Sequence, residues 1–378
     1  MTDRLTTAHI DLGAYSHNLN VIKSHLASTV GIMAVVKANA YGHGIVEIAR
    51  AATTAEFKYI GVACLYEARQ IRTAGITHPV MLINYLDPAS FSDALDLDLT
   101  ITVMDAHAIA ALAYLAQKRK QKVKVHLKVD TGMHRAGCDP DEFVALAQSI
   151  TRNPYLELEG VYMHFADADN ADHTFTLHQL HHFQRLIASL KTMGINPPLI
   201  HAANSAATLA LPASHFTLVR PGIATYGINP FAPSHPLYAK MSQALKPILT
   251  LTSQIVHIRT IPSGDPVGYG CTEKVKRAAR LALVPIGYGD GYVRGAQSRR
   301  YMLVGGKKAP LIGRVSMDQS CIDITDTSAS VGDEVVIIGT QDGLSQSATD
   351  LAMQTGTISY EVLTSLSARV TRCYTTSI

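Results

Sequence analysis

Residues Gly31–Gly44 read GIMAVVKANAYGHG, and the fold turns on this stretch. Ile32-Met33-Ala34-Val35-Val36 is apolar without alternation, as expected of a strand buried on both faces in a parallel sheet. It ends in Lys37, and the small residues and glycines that follow suit a loop. In a barrel of parallel strands, active sites are built at the C-terminal strand ends. A lysine placed there, with an apolar strand behind it, is set to have its pKa lowered and to form a Schiff base. Tyr41 comes shortly after, and Gly42 and Gly44 would let backbone approach a ligand closely. A strand-end lysine reaching into water is the plainer reading of VVK, so the decision passes to the rest of the chain.

Working outward, short apolar strands alternate with helical segments. The strand candidates are Ile32–Lys37, Tyr59–Cys64, Val80–Asn84, Leu99–Met104, Val123–Asp130, Leu158–Phe165, Leu199–Ala203 and Thr217–Arg220. Helical stretches such as Val46–Thr53, Tyr66–Ala74, Ala106–Lys118, Asp141–Thr151 and Thr176–Met193 lie between them, with Asp105 and Asp139 placed to cap two at the N-terminus. This pattern predicts an α/β fold with a (β/α)8 TIM barrel. A doubly wound sheet is the alternative, but the first turn lacks the glycine fingerprint for a dinucleotide. NPFAPSHP at 229–236 marks a boundary, and alternating strand-like runs follow: Ile248–Ile261, Leu281–Ile286, Tyr301–Val304, Leu311–Met317, Cys321–Thr325, Glu334–Gly339 and Arg369–Tyr374. We therefore expect a barrel over residues 11–235 and a mainly antiparallel β domain over 236–378, joined by residues 1–10.

Composition narrows the class. The 378 residues are 47% hydrophobic and 17% charged with a net charge of +3, which fits a globular protein and leaves no extended basic surface for nucleic acid. KRKQKVK at 118–124 reads as a solvated helix end running into a strand. The five cysteines are scattered without a CxxC pair, and no apolar run is long enough to span a membrane, so reduced thiols and a cytoplasmic location are expected. His173, His178, His181 and His182 could gather on one helix face, but without matching ligands we expect no metal.

Read strand by strand, the C-terminal ends supply Lys37; Lys128-Val129-Asp130 running into His134-Arg135; His164; His201 with Asn204-Ser205; and Arg220-Pro221-Gly222-Ile223. A purely structural barrel would not need polar groups converging on one rim from so many strands. Ser205 with Gly222 and Ile223 suggests a phosphate site after the last two strands. Arg220 reads either as a surface ion pair or as the partner of a ring nitrogen.

AVVKANAYGHG, KVDTGMHRAG, HFADAD, HAANSAA, RPGIATYG, VGYG, IGYGDG, GRVSMDQ and ISYEV, in this order over residues 31–363, resemble the motifs of alanine racemases. The resemblance implies an isomerase dependent on pyridoxal phosphate (PLP) that interconverts L- and D-alanine and supplies D-alanine for peptidoglycan. By motif, Lys37 would carry PLP and act as one catalytic base, with Tyr269 the other on the opposite face of the substrate aldimine. Arg220 would face the pyridine nitrogen, His164 would link it towards Tyr269, and Arg135 would support Tyr269 and the ring hydroxyl. Tyr41, Ser205, Gly222, Ile223 and Tyr360 would hold the phosphate, with Asn204 nearby. Met317 and Asp318 would meet the substrate carboxylate, and Tyr288 would narrow the entrance. Lys128 matches a position carbamylated in many members. Because the facing tyrosine comes from the partner subunit in this family, the resemblance implies a homodimer with shared active sites. A racemase of serine, a decarboxylase of basic amino acids and a PLP carrier without catalysis are the competing readings.

Overall fold

The computed structural model describes residues 4–55, 57–295 and 300–376. It divides into two compact units: Tyr15–Ala40 with Ile45–Lys246, and the chain up to Ala14 with Tyr41–Gly44 and everything from Pro247 onward.

The first unit is the near-closed parallel barrel. Its strands are Gly31–Val35, Tyr59–Val62, Val80–Leu82, Leu99–Val103, Val123–Lys128, Leu156–Tyr162, Leu199–His201 and Leu218–Val219. Each pairs with its chain neighbour from first to seventh, and the first pairs with the eighth. Thr217 N–H donates to Ile200 O (3.1 Å) and Arg220 N–H to Ala203 O (2.9 Å), which brings the seventh and eighth together. The apolar runs form strands because both faces are covered: Leu99–Val103 is buried at all five positions. Met33, Tyr59, Met81, Tyr162, Leu199 and Leu218, from six strands, meet in the interior. Burying each such side chain contributes roughly 1.5–3 kcal/mol. The helices expected from periodicity form, Ala106–Arg119 under an Asp105 side chain that accepts from Ala108 N–H. Asp139 does not cap the next one: Phe143–Arg152 begins four residues later behind Glu142, without a side-chain cap.

The second unit is mainly antiparallel. Its larger sheet runs Lys307–Pro310, Tyr301–Val304, Glu334–Gln341, Leu249–Gln254, Thr7–Asp11 and Thr371–Thr375, with only the last pair parallel. A second sheet holds His257–Ile261, Ala279–Val284 and Ser320–Asp323. The run read as Ile248–Ile261 is thus two strands in different sheets. Its break is where Ile255 N–H turns to Asp333 O and Val256 N–H to Leu283 O. Leu311–Met317 is not a strand, because Gly313 adopts φ +70 and carries the backbone to within close reach of Val267 O. All five cysteines are free. No helix among the described residues is long and apolar enough to cross a membrane.

Candidate active site

Lys37 follows the first barrel strand, and the backbone after it is unusual. Ala38, Asn39, Ala40 and Tyr41 all sit at φ between +52 and +55, four left-handed residues without a glycine. Such a conformation costs an L-residue roughly 1–2 kcal/mol, so the turn has to be held. Ala40 N–H closes on Val36 O at 2.7 Å, Asn39 Oδ1 accepts from Ile45 N–H at 2.9 Å, and Glu67 Oε1 accepts from Ala38 N–H at 2.6 Å. Burial lowers the pKa of the Lys37 amine, Arg135 and Arg220 push the same way, and Glu67 opposes them.

The fifth strand ends at Lys128, buried and without an ion pair among the described residues; its Nζ lies 5.5 Å from the Tyr162 ring centre. Burial, then Arg220 and Arg135, bring its pKa down to about 8. The loop beyond folds back, with Asp130 accepting from Gly132 N–H (2.8 Å) and Arg135 N–H (3.0 Å). Gly137, at φ +139, is required there, because a Cβ would stand 2.4 Å from Asp130 N. Arg135 itself is exposed.

Arg220 is buried at the end of the eighth strand. Its guanidinium donates to His201 Nδ1 (2.8 Å), Met163 O (2.8 Å), Ala202 O (3.1 Å) and His164 Nδ1 (3.2 Å), and none of these bonds uses Nε. Burial lowers its pKa to about 10, so it stays charged at neutral pH. Burial and the cations Arg220, Arg135, Lys128 and Lys37 hold His164 neutral.

A guanidinium can only donate, and this fixes the polarity of everything behind it. His201 Nδ1 accepts from Arg220, so its proton is on Nε2, which donates to His126 Nδ1 at 2.8 Å. His126 then carries its proton on Nε2 and donates to Glu159 Oε2 at 3.1 Å. Glu159 also accepts from Tyr59 OH and from Lys124 Nζ, the latter at 2.8 Å. Burial would raise the carboxyl, but the bonds from His126, Lys124 and Tyr59 outweigh it and hold the pKa at about 2. Gly160 makes room for this relay: a Cβ there would lie 2.5 Å from the His126 ring. Tyr162 stacks on His201 at 4.6 Å.

Ser205 opens the helix Ser205–Ala210 after the seventh strand, and Asn204 caps it through Ala207 N–H at 3.0 Å. Gly222 and Ala224 N–H both point at Ser205 Oγ, at 2.9 and 3.2 Å. The barrel thus brings Lys37, Lys128, Arg135, His164, Arg220, Ser205, Gly222 and Ile223 to its C-terminal rim.

The second unit holds the other expected residues. Tyr269 follows the short strand Pro266–Val267 and is 69% exposed. With Tyr288, Arg294 and Val315 it lines a cavity of about 580 Å³. Tyr288 N–H donates to Ser316 O (3.1 Å) and Gly289 N–H to Met317 O (2.8 Å), so the segments carrying Tyr288 and Met317-Asp318 are laced together. Asp318 pairs with Arg369. The rings of Tyr41 and Tyr360 lie 6.2 Å apart. Gly42 and Gly44 serve packing rather than ligand approach: a Cβ at Gly42 would meet Leu363 O at 2.0 Å, and one at Gly44 the Tyr374 hydroxyl at 1.8 Å. Glu67, His126, Glu159, Arg294 and Val315 were not singled out by sequence; only His126 and Glu159, polar residues inside otherwise apolar strands, left a signal.

Comparison with known proteins places this geometry. Residues 10–230 match the alanine racemase N-terminal domain and 248–374 the alanine racemase C-terminal domain. The alanine racemase of Desulforamulus reducens is 40% identical, covering 97% of this chain and 98% of that protein. The crystal structure of alanine racemase from Streptomyces lavendulae, a producer of D-cycloserine, superposes with a TM-score of 0.92 at 36% identity, covering 100% of this chain and 99% of that one. The Bacillus anthracis alanine racemase with bound L-Ala-P gives 0.92 at 37% identity, covering 98% and 95%. Barrel and β unit thus both match one family, and the chain belongs to the alanine racemases, which are isomerases.

Proposed function

We propose that the chain interconverts L- and D-alanine with PLP and two bases, Lys37 on one face of the substrate and Tyr269 of the partner subunit on the other. The carrying observation is the charge at the barrel rim. Lys37, Lys128, Arg135 and Arg220 converge there, while both nearby acids are committed to backbone: Asp130 to Gly132 and Arg135 N–H, Glu67 to Ala38 and Ala63 N–H. Such a site wants anions from outside, and a phosphate-bearing cofactor with an amino-acid carboxylate fits it. Ser205 Oγ accepts from the N–H groups of Gly222 and Ala224 and so keeps its own O–H to donate to the phosphate, which Gly222, Ile223, Tyr41 and Tyr360 would help to hold. Arg220 offers the pyridine nitrogen a hydrogen bond without giving up a proton.

When bound through Lys37, PLP delocalises the electron pair left at the substrate α-carbon. The protein supplies the rest. Racemisation removes a proton from one face and returns it to the other, so a base is needed on each. From an ordinary lysine near 10.5, reaching the neutral amine at pH 7 costs about 5 kcal/mol at 1.36 per unit, and the lowered pKa of Lys37 reduces that. His164, neutral and accepting from Arg220, passes no charge of its own to the site. Met317 and Asp318 orient the substrate carboxylate, and Tyr288 bounds the entrance. Lys128, brought down to about 8, takes up CO2 as a carbamate, releasing a proton and becoming an anion beside Arg135. Lys37 and Tyr269 belong to different units, which suits a cytoplasmic homodimer with two shared sites, making D-alanine for peptidoglycan.

The test is L-alanine with PLP-loaded protein in D2O, with L-serine in parallel. Loss of the α-hydrogen with inversion is expected, alanine being the faster substrate, and Tyr269→Phe should lose inversion. Exchange with retained chirality would remove Tyr269 from the mechanism, and PLP uptake unaltered in Lys37→Ala would remove Lys37.

A further inference from the structure

Glu67 is not among the residues assigned to cofactor, substrate or proton transfer. It lies in the first turn of the helix Leu65–Thr73 and is 8% exposed. Its two oxygens are divided between backbone N–H groups beyond two adjacent barrel strands: Ala38, directly after Lys37, at 2.6 Å, and Ala63, after Tyr59–Val62, at 2.7 Å. Ala38 is the first of the four left-handed residues. A buried carboxylate spent on backbone donors is a strong fastening, because charged acceptors make shorter and stronger bonds than neutral ones. No cation lies within ion-pair distance of Glu67 among the described residues, so its charge is not spent on a single partner.

We propose that Glu67 is a positioning residue for Lys37: its carboxylate fastens the left-handed turn behind the lysine and offsets the cations around the amine. The inference rests on the reading of Lys37 as the cofactor lysine. The groups acting with Lys37 are Arg135, Arg220 and Glu67, with Lys128 and His164 coupled to it in turn. Arg135 and Arg220 disfavour the ammonium form, as burial does, and Glu67 favours it. Without Glu67 the amine would titrate lower still. The turn would also lose the bond at its first residue, the one nearest the lysine.

Two variants separate the two roles. Glu67→Gln keeps the shape and removes the charge, and Glu67→Asp keeps the charge but is too short to span both N–H groups. In the full-length chain freed of PLP, the pH dependence of Lys37 labelling by acetic anhydride, read by mass spectrometry, reports the amine. Hydrogen exchange at Ala38 reports the turn. For Glu67→Gln the labelling midpoint should fall by about one pH unit. For Glu67→Asp it should stay near the parent value, while Ala38 exchanges at least about tenfold faster in both variants. In the PLP-loaded enzyme, the acid limb of kcat/KM should move with the labelling midpoint. An unchanged midpoint in Glu67→Gln, or parent-like exchange at Ala38 in both variants, overturns the proposal. If PLP uptake survives Lys37→Ala, the reading of Lys37 fails instead, and the labelling result still stands on its own.

Discussion

Replacing Glu159 by glutamine tests the relay behind Arg220 at its far end. The carboxyl is held at about 2 against an ordinary 4.5, by hydrogen bonds that outweigh burial. That difference is 2.5 units, and at 1.36 kcal/mol per unit it amounts to roughly 3 kcal/mol in favour of the ionised form in the folded chain. Glutamine keeps the shape but offers one acceptor where His126, Tyr59 and Lys124 now donate to two oxygens. The variant should therefore be about 2–3 kcal/mol less stable at pH 7. The folded pKa is depressed, so the stabilisation is present above pH 4.5 and is lost as pH falls towards 2. At pH 3.5 about 1.4 kcal/mol of the difference should have gone. Urea unfolding followed by circular dichroism suits a chain with no tryptophan. A difference below about 0.5 kcal/mol at pH 7, or one unchanged between pH 7 and 3.5, would refute the idea that Glu159 is the charged terminus of the relay.

Lys128 should react with 13C-bicarbonate at neutral pH to give a carbamate resonance absent in Lys128→Ala. With a pKa of about 8, roughly a tenth of the amine is neutral at pH 7, against about 0.03% for an ordinary lysine. No carbamate signal at saturating bicarbonate would remove the modification from the site. Gly160→Ala should cost about 2–3 kcal/mol, because the new Cβ displaces the buried His126 ring and breaks its bond to His201. Chemical denaturation measures the loss, and 15N shifts that leave both imidazoles as Nε2–H tautomers would show that the ring had not moved.

The barrel was legible because parallel strands covered on both faces must be continuously apolar; all eight appear where the runs predicted, trimmed at their C-terminal ends, and two begin a residue or two earlier. The β unit was less so. Nothing local in Gln254-Ile255-Val256 says that the backbone there hands its hydrogen bonds from one sheet to another, and only the pairing with Asp333 and Leu283 decides it. Among the candidate site residues, strand ends announced Lys37, Lys128, His164 and Arg220, since a polar side chain closing an apolar run stands out. Glu67 did not stand out, because a glutamate in the first turn of a helix is ordinary, and its partner Ala38 is 29 positions away. The left-handed turn was invisible for the same reason: Ala-Asn-Ala carries no glycine, and the conformation is imposed by Glu67, Asn39 and Val36 O together. Which face His126 presents depends on the register shift between Val125 and His126, a feature of pairing rather than of composition.

The two buried acid systems explain why so many cations can converge on one rim. Glu159 answers Arg220 from a distance, through two neutral imidazoles whose N–H groups both point away from the arginine. Each imidazole thereby turns a lone pair towards the positive charge and a proton towards the negative one. In the role proposed for it, Glu67 offsets the cations around Lys37 with its oxygens fixed on backbone donors. Neither acid makes an ion pair with the cation it steadies. A direct ion pair would stabilise Arg220 or Lys37 more strongly, but it would occupy the N–H groups, or hold the proton, that the site has to offer a ligand. Placing each negative charge one or two groups away keeps the cations folded inside the barrel while leaving Arg220 Nε and the Lys37 amine for an anionic partner.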